Sequence, residues 1–316
     1  MFDLILETTI QIFGVILLAP LVAGIYENIK AKTEFRKGPN IFQPYFDLAK
    51  YLRKERTYTQ NSTLVYRWAP MIAMGIMLTI SFVIPVIIPF PTLFAPMVDF
   101  LGGAMLFTLS SVILIMGAFD SKNHFSIMGA SRSASFSALS EPTLILVFFS
   151  VAIETSSENP YTTASLVGSN PVLFLSLTHI LSSAAFFMLF LFETAKLPVE
   201  SSGLSEMGMI DEGRTYDYGG RNLFFLKYAS HIKQFLLGSV LLNLFIFPWF
   251  MQSGLFGSIL DIPIMLGKWI VLILIIVFIE QILAKVKLFK IADFLAMSFV
   301  FAILSLILFK LGGFAI

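Results

Sequence analysis

The sequence predicts an all-α polytopic membrane protein with about eight transmembrane helices. Three observations predict it. Only 13% of the 316 residues are charged, while 57% are apolar or aromatic. Apolar runs long enough to cross a bilayer recur from one end to the other. Basic residues crowd into alternate connections. A soluble domain carries roughly a quarter charged residues, and this chain has too little polar side chain to cover a globule. The composition also excludes disorder, collagen and coiled coil. A net charge of +1 argues against a nucleic-acid binder. With no cysteine there is no disulfide and no thiolate metal or cluster site, so any redox chemistry belongs to partners.

A helix needs about 20 apolar residues to span the hydrocarbon core. Such runs cover roughly 4–26, 68–89, 98–119, 134–155, 172–194, 234–252, 263–283 and 292–311. The first lacks a basic n-region and a small-residue cleavage site, so it reads as a retained span. Pro70, Pro85 and Pro248 mark kinks or ends. All but two of the 21 basic residues fall in the odd-numbered connections, the exceptions being Lys268 and Lys310. The odd loops are therefore expected to be cytoplasmic, with both termini outside.

One transmembrane domain, 1–316, is expected, with two large cytoplasmic loops at about 27–67 and 195–233. Within the first, Asn40 to Glu55 alternates apolar and charged residues at helical spacing, as an amphipathic helix on the membrane face would. The second holds Glu200, Glu206, Asp211, Glu212 and Asp217. No internal repeat is visible, which weighs against carriers built from repeated halves.

Acids in hydrocarbon are costly and usually face the bundle interior in a functional role. Glu141 lies about two turns inside the fourth run, beside Ser135, Ser137, Ser140 and Pro142. Glu193 closes the fifth run, and Glu280 lies near the end of the seventh, where Lys285 and Lys287 could pair with it. Together they suggest a chain of protonatable groups. Glu154 reads as an interfacial, structural acid. His124, His179 and His231 lie in separate segments without a second ligand at i+3 or i+4, so His179 reads as a hydrogen-bonded core residue. Gly219-Gly220 reads as a turn. Metalloprotease, nucleophile-elbow and phosphate-loop motifs are absent from the sequence.

Two segments carry a family resemblance. The first is Arg36-Lys37-Gly38-Pro39-Asn40, then Gln43-Pro44-Tyr45, Asp47-Leu48, Lys50 and Lys54-Glu55. The second is Glu193-Thr194-Ala195-Lys196-Leu197-Pro198-Val199-Glu200, then Glu206, Met209-Ile210-Asp211-Glu212 and Tyr216-Asp217-Tyr218-Gly219-Gly220-Arg221. The chain resembles the eight-helix membrane subunit shared by respiratory complex I and the energy-converting nickel–iron (NiFe) hydrogenases. The short step from Gly38-Pro39-Asn40 to Gln43-Pro44 resembles the hydrogenase branch. Lys196, Ala195 and Glu200 depart from the family's usual arginine, polar residue and aspartate.

The resemblance implies a non-catalytic anchor in a prokaryotic cell membrane. It binds no cofactor itself. A NiFe centre and iron–sulfur clusters would sit in hydrogenase-like cytoplasmic partners fed by ferredoxin. Antiporter-like membrane subunits would lie alongside. Arg36, Lys37, Gly38, Pro39, Gln43, Asp47, Lys50, Arg53, Lys54 and Arg221 would dock the cytoplasmic arm. Glu141, Glu193, Glu200, Glu206, Asp211, Glu212, Asp217 and Glu280 would form the proton path. Alternatives are the equivalent subunit of a sulfane-sulfur reductase, a quinone-reducing subunit, and a stand-alone secondary transporter.

Overall fold

The computed structural model describes residues 2–59, 62–88, 98–196, 198–199, 210–250, 255–284 and 286–312. The described residues form helices and connections, with no strand. The helices are α1 (Phe2–Thr33), α2 (Gln43–Arg53), α3 (Leu64–Val83), α4 (Phe100–Asp120), α5 (His124–Thr155), α6 (Pro160–Ser169) and α7 (Pro171–Phe174). They continue as α8 (Leu177–Glu193), α9 (Asp211–Thr215), α10 (Gly220–Val240), α11 (Leu255–Ile282) and α12 (Ile291–Lys310).

Helix starts follow from capping chemistry. The side chains of Thr63, Asp99, Asn123, Asn159 and Ser176 each accept a backbone N–H from the first turn of the helix that follows. Pro160 and Pro171 sit in first turns, where a missing N–H costs nothing. The cap at Asn123 starts α5 ten residues ahead of the apolar run. At ~1.5 Å per residue the 32-residue helices α1 and α5 reach ~48 Å, well past a ~30 Å hydrocarbon core. Much of the connections flanking those runs is therefore helix.

Among the described residues, seven helices are long and apolar enough to cross a membrane. The remaining apolar run, 172–194, is broken where the short α7 ends and Ser176 caps the 17-residue α8. That length sits at the lower limit of about 17 for a span. The run predicted at 234–252 begins in the last turns of α10, which starts at Gly220, continues through a π-helical turn, Leu241–Ile246, and is no longer helical from Phe247, its last two residues lying outside the described residues.

Helix α3 packs on α4, α4 on α5, α12 on α5 and α8, and α1 on α11, while α10 lies against α3, α1 and α2. Between apolar helices in lipid, packing and interhelical hydrogen bonds drive association. Trp269 stacks on Phe235 at 5.5 Å and its indole N–H donates to the Ser239 hydroxyl at 3.2 Å. Ser298 and Ser305 of α12 donate to the carbonyls of Ala185 and Thr178 on α8, at 2.8 and 2.9 Å. Such bonds contribute about 0.6 kcal/mol each. The amphipathic segment predicted from Asn40 to Glu55 is α2. Leu48 is buried, Phe42, Phe46 and Leu52 are exposed, and the helix rests on α10 and α1.

Candidate functional site

The two motif-bearing segments meet at one end of the bundle. The main chain must turn sharply to start α10, and Gly220 does so at φ +53°, with the Glu55 carbonyl 1.8 Å from where a Cβ would stand. Only glycine fits both the conformation and the space. Arg221 Nε then donates to the Leu52 carbonyl at 3.4 Å. The rings of Tyr66 and Tyr218 stack at 4.3 Å, and the Tyr66 hydroxyl donates to the Asp217 carbonyl at 2.7 Å. The Asp217 carboxylate accepts from Asn123 Nδ2 and Ser126 Oγ, both at 2.6 Å, which ties this loop to the start of α5. Burial pushes the Tyr218 phenol above its ordinary pKa.

Of the predicted docking residues, Arg221 and Lys54 lie at this junction. Arg36, Lys37, Pro39, Lys50, Arg53, Lys54 and Arg221 are exposed. Gly38, Gln43 and Asp47 are half-buried, and Gln43 Nε2 donates to Asp47 at 3.0 Å. Arg36 pairs with Glu34. Glu200 and Glu206 lie outside the described residues, and of Asp211 and Glu212, which open α9, only the backbone is described.

Three charged side chains converge deeper in the bundle. Lys233 of α10 donates to Glu193 at the end of α8 in a half-buried ion pair. Glu141 of α5 faces the same small cavity, whose lining includes Thr108, Ser111, Glu141, Glu193 and Lys233. Its Oε1 is buried without a hydrogen-bond partner. A second cavity of about 60 Å³ runs from Glu193 and Lys233 past Ser110, Ser111 and Ser230 to Arg214. That is room for several waters. An acceptor oxygen with nothing to accept, beside a carboxylate–ammonium pair and a water-sized polar space, is an arrangement that can take up and pass on a proton.

Glu280 belongs to a separate cluster on α11. Both its oxygens accept from the Tyr26 hydroxyl, at 2.7 and 2.8 Å, and Lys30 pairs with it at 3.2 Å. Sequence order does not reveal these α1 partners. Lys196 Nζ lies 3.4 Å from the Tyr26 ring centroid, and burial lowers its pKa to about 8. Tyr26 and Lys196 border a cavity of about 390 Å³ closed by Pro39, Gln43 and Asp47 on one side and Lys227 and His231 on the other.

Two further polar sites have partners that the sequence did not reveal. Glu154, read from the sequence as a structural acid, is buried in the protein: Thr178 Oγ1 donates to it at 2.7 Å and Ser176 Oγ also donates. Its isolated position near a helix end hid partners that come from α8. Lys268 is likewise buried, donating to Asn243 Oδ1 at 3.1 Å and the Phe247 carbonyl at 2.8 Å. A lysine within an apolar run was its signal. Among the described residues no three His, Cys, Asp or Glu gather as a metal site.

Residues 6–310 match the family model described as NADH dehydrogenase. Formate hydrogenlyase subunit 4 of Escherichia coli (strain K12) is 28% identical over 90% of this chain and 92% of its own length. NADH-ubiquinone oxidoreductase chain 1 of Balaenoptera physalus is 27% identical over 73% of each chain. In solved structures the fold recurs in a chain of an archaeal membrane-bound sulfane sulfur reductase complex, with a TM-score of 0.78, 19% identity, and 96% of this chain and 99% of that one covered. The longer match to the hydrogenlyase subunit places the chain nearer the hydrogenase side. The chain belongs to the NADH dehydrogenase family, as the membrane subunit type that complex I shares with hydrogenase complexes.

Proposed function

We propose that this chain anchors the cytoplasmic arm of a ferredoxin-linked, membrane-bound NiFe hydrogenase and starts its proton path. The observation that carries the reading is the unpartnered buried oxygen of Glu141 facing the Glu193–Lys233 pair across a shared cavity. A proton on Glu141 would be exchanged with that pair. Glu200, Glu206, Asp211, Glu212 and Asp217 would supply the approach from the cytoplasm, with Glu280 at a branch. A fixed row of acids transmits no coupling by itself, so a two-state element is required. The loop between α8 and α10 is the candidate, because it joins Glu193 to the docking surface. The exposed basic residues from Arg36 to Lys54, with Arg221, would receive iron–sulfur and hydrogenase-like partners, which hold all the redox centres. Antiporter-like subunits would continue the path within a prokaryotic cell membrane.

The test is a pull-down of this chain from native membranes in mild detergent. Nickel in the eluate, and hydrogen evolution from reduced ferredoxin, is the expected result. A multi-subunit eluate with neither moves the assignment to a sulfane reductase or quinone-linked complex. A chain eluting alone contradicts the anchoring role and favours a transporter. One observation favours the quinone reading. The cavity of about 390 Å³ beside the first loop has the size of a small-molecule site. Inhibition of electron transfer by a quinone analogue would support that reading.

A further inference from the structure

The far ends of α5 and α8 carry a second pair of titratable groups. Glu154 is 13 residues from Glu141 on α5, and His179 is 14 residues from Glu193 on α8, so each lies ~20 Å along its helix from the acids above. Glu154 Oε2 and His179 Nδ1 are 3.6 Å apart, with side chains 4% and 2% exposed.

The proton inventory of this pair is constrained. His179 Nε2 lies 3.2 Å from the Phe245 carbonyl, which can only accept, so Nε2 carries a hydrogen. In a neutral imidazole that leaves Nδ1 as a bare acceptor facing a carboxylate. Nδ1 has no other partner, and Glu154 Oε1 is already occupied by the hydroxyls of Ser176 and Thr178. Two acceptors facing each other in a buried site are unfavourable. One added proton between them resolves the conflict, as imidazolium with carboxylate or as imidazole with carboxylic acid.

We propose that Glu154 and His179 form a buried site for one exchangeable proton, separate from Glu141 and Glu193. Ser176 is half-buried at the start of α8 and connects the site to the adjacent surface. Its O–H gives a proton to Glu154 Oε1 and regains one from water. The layer toward Glu141 is packed with apolar side chains. Val147, Phe148, Val151, Phe186 and Leu189 are buried there, with Phe186 packed on Phe148 at 5.5 Å and on Phe245 at 5.1 Å. The buried hydroxyls of α5 and α8 in that layer, on Thr143, Ser150 and Ser182, donate to carbonyls of their own helices, and Ser298 of α12 donates to the Ala185 carbonyl. The groups facing the pair from neighbouring elements are the Phe174 ring of α7, Phe245 of the π-helical turn and, behind Thr178, the Ser305 hydroxyl of α12. None of these three is charged. Glu158 beyond α5 and Lys310 at the end of α12 are exposed. Loss of the proton sets Glu154 against Nδ1 and weakens the tie between α8 and the π-helical turn of α10.

The inference does not depend on which redox partner the chain serves. It is tested on the full chain in lipid vesicles, labelled with 15N-histidine, the His179 signals being assigned by their loss in His179→Gln. The sequence has only three histidines to resolve. Across a pH series, His179 is expected to keep its Nε2 hydrogen while Nδ1 moves between protonated or strongly hydrogen-bonded and bare forms. In Glu154→Gln that movement is lost, and Glu154→Asp restores it in part. A pH-independent neutral imidazole, identical in wild type and Glu154→Gln, overturns the proposal. So does a signal that follows sodium concentration at fixed pH, which would make this a metal-cation site.

Discussion

Lys196 shows what burial does to one charge. It follows α8 directly, sits over the Tyr26 ring and has its pKa lowered to about 8 by desolvation. The folded value lies below the unfolded value of about 10.4. Between those two pH values the unfolded chain binds more protons at this residue than the folded chain does. Stability therefore rises with pH across that window, by up to about 3 kcal/mol for this residue. Lys196→Met removes the dependence. Thermal unfolding in detergent should show wild type gaining on Lys196→Met from pH 8 upward, and parallel curves would contradict this. Hydropathy exposes Glu141, Glu193 and Glu280 directly, because a carboxylate stands out in an apolar run. It conceals their partners. Lys233 for Glu193, Tyr26 and Lys30 for Glu280, and His179 for Glu154 come from distant helices, and only packing brings them together.

At the level of elements, apolar runs located most of the helices, and their ends came from capping side chains that a hydropathy window averages away. Asn123 starts α5 early, and Ser176 starts α8 late. The π-helical turn Leu241–Ile246 has no signature in an apolar run, yet it includes Phe245, whose carbonyl binds His179. The turn at Gly219-Gly220 was legible, and the structure adds its purpose, the passage of the first loop against the start of α10. Gly220→Val forces a side chain into positive φ, at a cost of roughly 1–2 kcal/mol, and onto the Glu55 carbonyl. A lowered Tm and weaker recovery of partner subunits are expected. Gly75→Ala, in open space within α3, should leave Tm unchanged or raise it slightly. Equal Tm values for the two variants would remove the structural role assigned to Gly220.

For the whole molecule, the sequence established the membrane class and the family type, and the structure supplies the grouping of the charged side chains. Helix α2 lies against α10 and α1 at the end that carries the exposed basic residues Lys50, Arg53, Lys54 and Arg221. Glu141, Glu193 and Lys233 line a small cavity below them, and a layer of packed apolar and aromatic side chains separates that cluster from the Glu154–His179 pair. Coupling between electron transfer and ion movement is the central claim, and it rests on Glu141. The decisive measurement is the ratio of ions moved to electrons transferred in sealed vesicles bearing the intact complex, compared between wild type and Glu141→Gln. The account predicts near-normal electron transfer with the ratio reduced severalfold, because Gln keeps the shape and cannot take up a proton. An unchanged ratio at full electron transfer would contradict it.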